Sequence, residues 1–277
     1  MKLVHLSDIH IHGESIDGYD PIDRFQRCLA HVEKRFADAD AIVVTGDLTH
    51  DGQTVSYERL KGLLSGSPLK LHLLLGNHDH RDRFRATFAE HPADENGFIQ
   101  YVADTDGYRL VMLDTCEPGT HAGHLCEKRL GWLSDRLRDA QRDAIPVLLF
   151  MHHNPVAVGV WAADVLSLID DTGIRNLLRQ NRDTVRHIFF GHTHYSLSGA
   201  LEGIPFSAPR STNHPCWPEI GDKRRTGIGP IAPNYNVALI TSHAVVIHTI
   251  DFMLEDQIVW QDIPDEYAYV HASAPRP

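Results

Sequence analysis

Five short apolar runs in this chain end the same way, in residues that bind metals, and that repetition limits what the chain can fold into. Leu73-Leu74-Leu75 gives way to Gly76-Asn77-His78-Asp79-His80, and Leu3-Val4-His5-Leu6-Ser7 to Asp8-Ile9-His10. Ala41 to Thr45 is followed by Gly46-Asp47, and Val147 to Met151 by His152-His153-Asn154-Pro155. Ile188-Phe189-Phe190 runs into Gly191-His192-Thr193-His194. Short runs without alternation suit strands covered on both faces. In open α/β folds, ligands bind in the crevice beyond the carboxyl ends of such strands. Five strands would therefore deliver polar side chains to one place.

The donors add up to two aspartates, one asparagine and four histidines, with His78 left over. A zinc-like ion is satisfied by three or four protein groups. Seven donors are too many for one ion, but a shared Asp47 carboxylate gives each of two ions four protein contacts. Asp79 is placed to orient the neighbouring imidazole.

In their order, Asp8-x-His10, Gly46-Asp47, Gly76-Asn77-His78-Asp79, His152 and Gly191-His192-x-His194 resemble the five-block signature of the calcineurin-like metallophosphoesterases. The stretch from Gly191 through Gly203-Ile204-Pro205-Phe206-Ser207 further resembles the class III cyclic-nucleotide phosphodiesterase branch. The resemblance implies a four-layer α/β-β/α sandwich of two mixed sheets; periodicity alone gives a mixed α/β domain. It implies that Asp8, His10, Asp47 and His194 hold one ion, and Asp47, Asn77, His152 and His192 the other. Iron with manganese or zinc, or two manganese ions, fit such asymmetric sets. One departure is His-His-Asn-Pro, because many relatives have proline where Asn154 stands. Both His152 and His153 are thus ligand candidates, and the resemblance implies His152.

The implied reaction is attack on phosphorus by water activated at the two ions, with His78 protonating the leaving oxygen. Asn77, His78 and His194 lie on the phosphate side. A diester carries one charge and two arms, so the absence of an arginine cluster among the motifs favours diesters over monoesters. The expected substrate is a 3′,5′-cyclic nucleotide, followed by glycerophosphodiesters or a broad range of phosphoesters. Phosphoprotein phosphatases carry arginine in extensions of these blocks; here Gly46-Asp47 continues as Leu48-Thr49-His50 and Gly76-Asn77-His78 as Asp79-His80. Some relatives keep the fold as noncatalytic scaffold subunits that have lost ligands, whereas every block is intact here.

Composition narrows the setting. At 277 residues, 42% of them hydrophobic, the chain suffices for one sizeable core. A net charge of -11 argues against general nucleic-acid binding. No apolar run approaches the ~18 residues of a membrane span, and the chain begins directly in a strand. Four separated cysteines without Cys-x-x-Cys read as reduced cytoplasmic thiols. A homodimer or higher homo-oligomer is the expected assembly. Only six or so of the twenty histidines are needed by the site.

Between the motifs, Asp20 caps a helix from Pro21 with Phe25, Leu29, Val32 and Phe36 inward. A second helix carries Tyr57, Leu60, Leu63 and Leu64. Arg81, Arg83 and Arg85 spread around a short helix as a solvated face, and His50 and Asp51 are expected around the site rather than in it. Asp106-Gly107 marks a hairpin, and the 115–125 loop forms a rim with His121 and His124. Helices follow over Leu130 to Leu137 and over 166–179. Strands take over after His194, at 196–201, 204–207, 235–240 and 244–250. Between them, residues 209–233 read as an irregular cap or lid with Asn213, His214 and Trp217. One domain is expected over 1–270, with a flexible tail at 271–277.

Overall fold

The computed structural model describes residues 1–221 and 223–264. The expected tail at 271–277 and the last residues of the 1–270 domain lie outside the described residues. Two mixed sheets face each other. The first contains β1 (Lys2–Leu6), β2 (Ala41–Val44), β3 (Leu71–Leu73), β12 (Tyr235–Ile240) and β13 (Val245–Ile250), in the order β13-β12-β1-β2-β3. Its β1, β2 and β3 are parallel, and β12 and β13 antiparallel. The second contains β4 (Tyr101–Thr105), β5 (Tyr108–Met112), β6 (Val147–Phe150), β7 (Val185–Phe189), β8 (Leu197–Leu201) and β9 (Ile204–Ala208). Its order is β4-β5-β6-β7-β9-β8, with a parallel centre and antiparallel edges.

Three apolar layers separate four structural ones. Leu3, Val43, Leu110, Leu148, Phe150 and Phe189 pack between the sheets, where the Phe150 and Phe189 rings stack at 4.8 Å. Val4, Leu6, Ile42 and Val44 face α1 (Pro21–Phe36) and α2 (Thr54–Ser65) on one side. Val111, Leu149 and Ile188 face α4 (Glu127–Asp143) and α6 (Thr172–Gln180) on the other. Residues alternate between these layers along each strand, which explains the continuous apolar runs: both faces of each central strand are covered.

Local chemistry sets the element ends. Asp20 Oδ1 accepts from the Ile22 and Asp23 amides and starts α1. Asp106 and Gly107 both take positive φ, 45° and 77°, in the two-residue turn joining β4 to β5. α3 (Arg81–Thr87) keeps Arg85 exposed, as expected, but corrects the solvated-face reading for Arg81 and Arg83, which are half-buried. Arg81 reaches the buried Asp114 carboxylate at 2.9 and 3.0 Å and ties α3 to the end of β5. α5 (Trp161–Asp164) is a single turn, and α6 begins only at Thr172, so residues 166–171 of the helix expected over 166–179 are not helical.

The 209–233 segment divides in two. Ser211, Thr212 and Asn213 are fully buried. Ser211 Oγ donates to the Asp8 carbonyl and the Thr212 amide to the Ser7 carbonyl, so this part is a wall behind the first strand's ligand turn. Beyond it, β10 (Cys216–Trp217) and β11 (Gly227–Ile228) form a small ribbon with exposed Trp217 and Ile228.

Candidate metal centre

The ligand candidates sit where the chain leaves β1, β2, β3, β6 and β7, and their backbones are unusual. Nine non-glycine residues among those described have positive φ, and five are Asp8, His10, Asp47, His192 and His194. Such conformations are costly and persist where the surroundings over-determine them. The turns also pack closely on one another. A Cβ on Gly76 would lie 2.2 Å from Asp47 Oδ1 and 2.7 Å from His152 Cε1, so only glycine lets the third strand's turn approach the second and fourth.

The structure brings Asp8, His10, Asp47 and His194 together, with ligand atoms within 4.8 Å of one another. His194 Nε2 lies 3.4 Å from Asp8 Oδ1, and His10 Nε2 lies 3.2 Å from His194 Nε2 and 3.5 Å from Asp47 Oδ2. His194 Nδ1 donates to the His214 carbonyl at 3.0 Å, which leaves Nε2 free to point inward. Asp8 receives the His192 amide on both oxygens, at 3.2 and 3.0 Å.

Asp47 faces both ways. Its Oδ2 is turned to His10, while its Oδ1 lies 3.5 Å from His152 Nε2. His152 Nε2 is also 3.0 Å from Asn77 Oδ1. Asn77 Nδ2 donates to His121 Nδ1 at 2.9 Å, and that bond directs the amide oxygen inward. His152 Nδ1 donates to the Thr45 carbonyl at 2.7 Å. The His192 ring packs against His152 and His153, with centroids 5.1 and 4.7 Å away.

His153 is as buried as His152 and shares its cluster with His192, but both its ring nitrogens are engaged. Nε2 donates to the His121 carbonyl at 3.2 Å, and Nδ1 accepts from the Thr115 hydroxyl at 2.8 Å. A neutral imidazole has one donor and one acceptor, so His153 retains no lone pair for an ion. His152 does.

His78 lies beside this set, with a ring nitrogen within 4.8 Å of those of His10 and His50. Its Nδ1 donates to the His50 carbonyl at 2.7 Å, and its ring meets His10 edge-on at 4.9 Å. Asp79 does not orient it, which corrects the reading from sequence. The Asp79 carboxylate turns away and accepts from the Leu48, Thr49 and Gly76 amides and from the Thr49 and Tyr57 hydroxyls, at 2.9–3.1 Å. It fastens the second strand's turn to the third's. The sequence places His50 around the site, His121 on its rim and His214 in the cap, without giving their partners. His50 stacks on His78 at 5.1 Å, and His214 lies 4.5 Å from His10 and 4.4 Å from His194. Nothing in the local sequence shows these contacts.

Burial and charge act differently on four of the donors. Burial holds His10 and His192 well below the usual imidazole range, leaving their lone pairs free. Burial also opposes the Asp8 charge, but His194 outweighs it and the carboxyl falls below its usual range. His194 itself is held up by Asp8 against the effect of burial, so an ion entering here must displace a proton. Imidazole nitrogens, two carboxylates and an amide oxygen suit divalent ions of borderline hardness.

A family model described as calcineurin-like phosphoesterase matches residues 1–196, which span all five turns. The chain is 32% identical over 259 residues to the "probable cyclic nucleotide phosphodiesterase" of Rhodopseudomonas palustris, covering 92% of this chain and 94% of that one. It is 33% identical over 217 residues to a cAMP/cGMP dual specificity phosphodiesterase of Mycobacterium tuberculosis, covering 76% and 67%. A dimetal phosphatase from Danio rerio has a similar fold, with a TM-score of 0.67 at 14% identity over 90% of this chain and 95% of that one.

Proposed function

The chain belongs to the calcineurin-like phosphoesterases and is a phosphodiesterase, and from that premise we propose that it hydrolyses 3′,5′-cyclic nucleotides at a two-metal centre. Asp8, His10, Asp47 and His194 hold one ion in this reading, and Asp47, Asn77, His152 and His192 the other. The observation that carries it is Asp47, whose two oxygens are turned to different imidazoles, His10 and His152. Two ions there supply a water acidified to near neutrality and a clamp on the phosphoryl oxygens. Iron with manganese or zinc fits the unequal donor sets, one with two carboxylates and one with a carboxylate and an amide.

The protein's own part is to orient and to move a proton. The His50 carbonyl fixes His78 through Nδ1, so that protonated His78 presents Nε2–H to the leaving oxygen. Asn77 and His194 border the same space and position the phosphate. The ribbon of β10 and β11 walls the cleft, since the Cys216 amide donates to the His194 carbonyl. No helix among the described residues is long and apolar enough to cross a membrane, and four free thiols fit the reducing cytoplasm. Exposed Val259, Trp260 and Ile263 fit a homo-oligomer in which a second copy covers them.

A panel of cAMP, cGMP, 2′,3′-cyclic nucleotides, glycerophosphodiesters and phosphomonoesters tests the substrate. Highest kcat/KM on a 3′,5′-cyclic nucleotide is expected. A preference for monoesters, or for glycerophosphodiesters by more than tenfold, would overturn the reading.

A further inference from the structure

The rim of the cleft carries one exposed histidine, His121, whose ring is nevertheless fixed in place. The 115–125 loop that bears it is firmly seated. The His121 carbonyl accepts from the ring of the buried His153 at 3.2 Å. Two residues on, the Gly123 amide donates to the Ser167 carbonyl at 3.1 Å, and the Gly123 carbonyl accepts from the Ile169 amide at 2.8 Å. A Cβ on Gly123 would lie 2.5 Å from His153 Cγ, so only glycine lets the loop close on that ring. The imidazole of His121 thus stands on backbone that is held independently of it.

The position of the ring proton follows from its partner. Asn77 turns its Oδ1 to His152 Nε2 at 3.0 Å and its Nδ2 to His121 Nδ1 at 2.9 Å. An amide nitrogen only donates, so Nδ1 accepts, and the ring carries its proton on Nε2. Among the described residues no hydrogen bond uses that Nε2. The His121 ring lies 5.1 Å from the His78 ring. A second fixed N–H therefore opens onto the space that Asn77 and His78 border.

Hydrolysis of a phosphate ester builds negative charge on the phosphoryl oxygens, and donors already aimed at that charge lower the barrier. The arginines next to the Gly-Asn-His-Asp turn do not supply them. Arg81 is held by Asp114, and Arg83 by the Gly52 carbonyl. We propose that His121 contacts the substrate directly, donating Nε2–H to a phosphoryl oxygen while its Nδ1 holds Asn77. The inference rests on the two-ion phosphodiesterase reading of the site.

The two ring nitrogens separate by substitution. Asparagine puts an amide oxygen where Nδ1 stood and nothing at Nε2; glutamine reaches the Nε2 position with its amide nitrogen and leaves Asn77 without its acceptor. Wild type, His121→Asn, His121→Gln and His121→Ala are compared in three measurements. These are calorimetric titration of metal-free protein with Mn²⁺, calorimetric titration of Mn²⁺-saturated protein with inorganic phosphate, and kcat/KM on cAMP and on a bis-nitrophenyl phosphodiester. His121→Asn should bind Mn²⁺ within about twofold of wild type. It should lose about 10–100-fold in phosphate affinity and in kcat/KM, the usual range for one hydrogen bond to a charged oxygen. The loss should be equal on both esters, unlike that of His78→Ala, because a phosphoryl contact is indifferent to the leaving group. His121→Gln should show the opposite pattern, with one Mn²⁺ weakened about tenfold and phosphate affinity nearly kept. His121→Ala should lose both. Phosphate affinity and turnover within about twofold of wild type in His121→Asn would overturn the inference. So would a loss confined to cAMP, or Mn²⁺ binding weakened in His121→Asn as far as in His121→Ala. Wild type that binds no Mn²⁺, or cleaves neither ester, would instead reject the two-ion reading and the inference with it.

Discussion

Among single residues, the adjacent His152 and His153 are the sharpest contrast, because two buried imidazoles differ only in what their nitrogens already do. His152→Ala should release one ion on desalting, whereas His153→Ala should keep both and lose mainly stability, through the stranded Thr115 hydroxyl and His121 carbonyl. Bound metal per chain decides, and the reverse pattern would move the ligand by one position. His78 separates binding from chemistry. His78→Ala should keep both ions yet lower kcat about 10²–10⁴-fold on a substrate with an alkoxide leaving group. The loss should shrink on a nitrophenyl ester, whose leaving group hardly needs a proton. Equal losses on both substrates would make His78 a phosphate-positioning residue. The convergence of the candidate donors was legible because each follows an apolar run. For His50, His121 and His214 the neighbourhood was legible but not the contacts, because they reach the site by tertiary packing from turns that carry no periodic signal.

Strand ends and turns carry the next level of organisation. The parallel strands were legible from their runs, although Leu74 and Leu75 prove to lie past β3, extending a strand of only three residues. The backbone kinks at Asp8, His10, Asp47, His192 and His194 were not legible, since aspartate and histidine tolerate left-handed φ better than most side chains but nothing in the local sequence marks where the packing imposes it. Asp79 shows the same limit. Its place in the Gly-Asn-His-Asp run suggested a partner for His78, but the turn points it at the second strand's amides. Five donors converge on that carboxylate, so Asp79→Ala should cost more than about 3 kcal/mol in urea unfolding. Tyr57→Phe, which removes one of them, should cost about 1 kcal/mol. A loss below about 1 kcal/mol in Asp79→Ala would show that the two turns hold together without it.

At the scale of the whole molecule, buried histidines outside the donor set tie stability to pH. Burial pushes His5 down to about 3, and His91 and His187 to about 4. Between those values and 6.5 the unfolded chain binds more protons than the folded one, so stability rises with pH through that window. Each group contributes a slope of about 1.4 kcal/mol per pH unit there. Asp79 opposes them, because burial and Asp47 raise its carboxyl to about 6 and it favours the folded state as pH falls below that. The three imidazoles outweigh the one carboxyl, so the melting temperature of metal-free protein should drop from pH 7 to pH 5, with net proton uptake on unfolding. A melting temperature that rose over this range would contradict the burial of these rings. The four layers were legible as a family resemblance and follow physically from strands apolar on both faces. The division of 209–233 into a buried wall and an exposed ribbon was not, because its burial comes from contacts with the turn after β1. The central claim is that two ions, bridged by Asp47, make this chain a cyclic-nucleotide phosphodiesterase. Turnover of cAMP, measured as Mn²⁺ is added stepwise to metal-free protein, should rise to a plateau that breaks at two ions per chain; a plateau at one ion, or no turnover at any ratio, would contradict it.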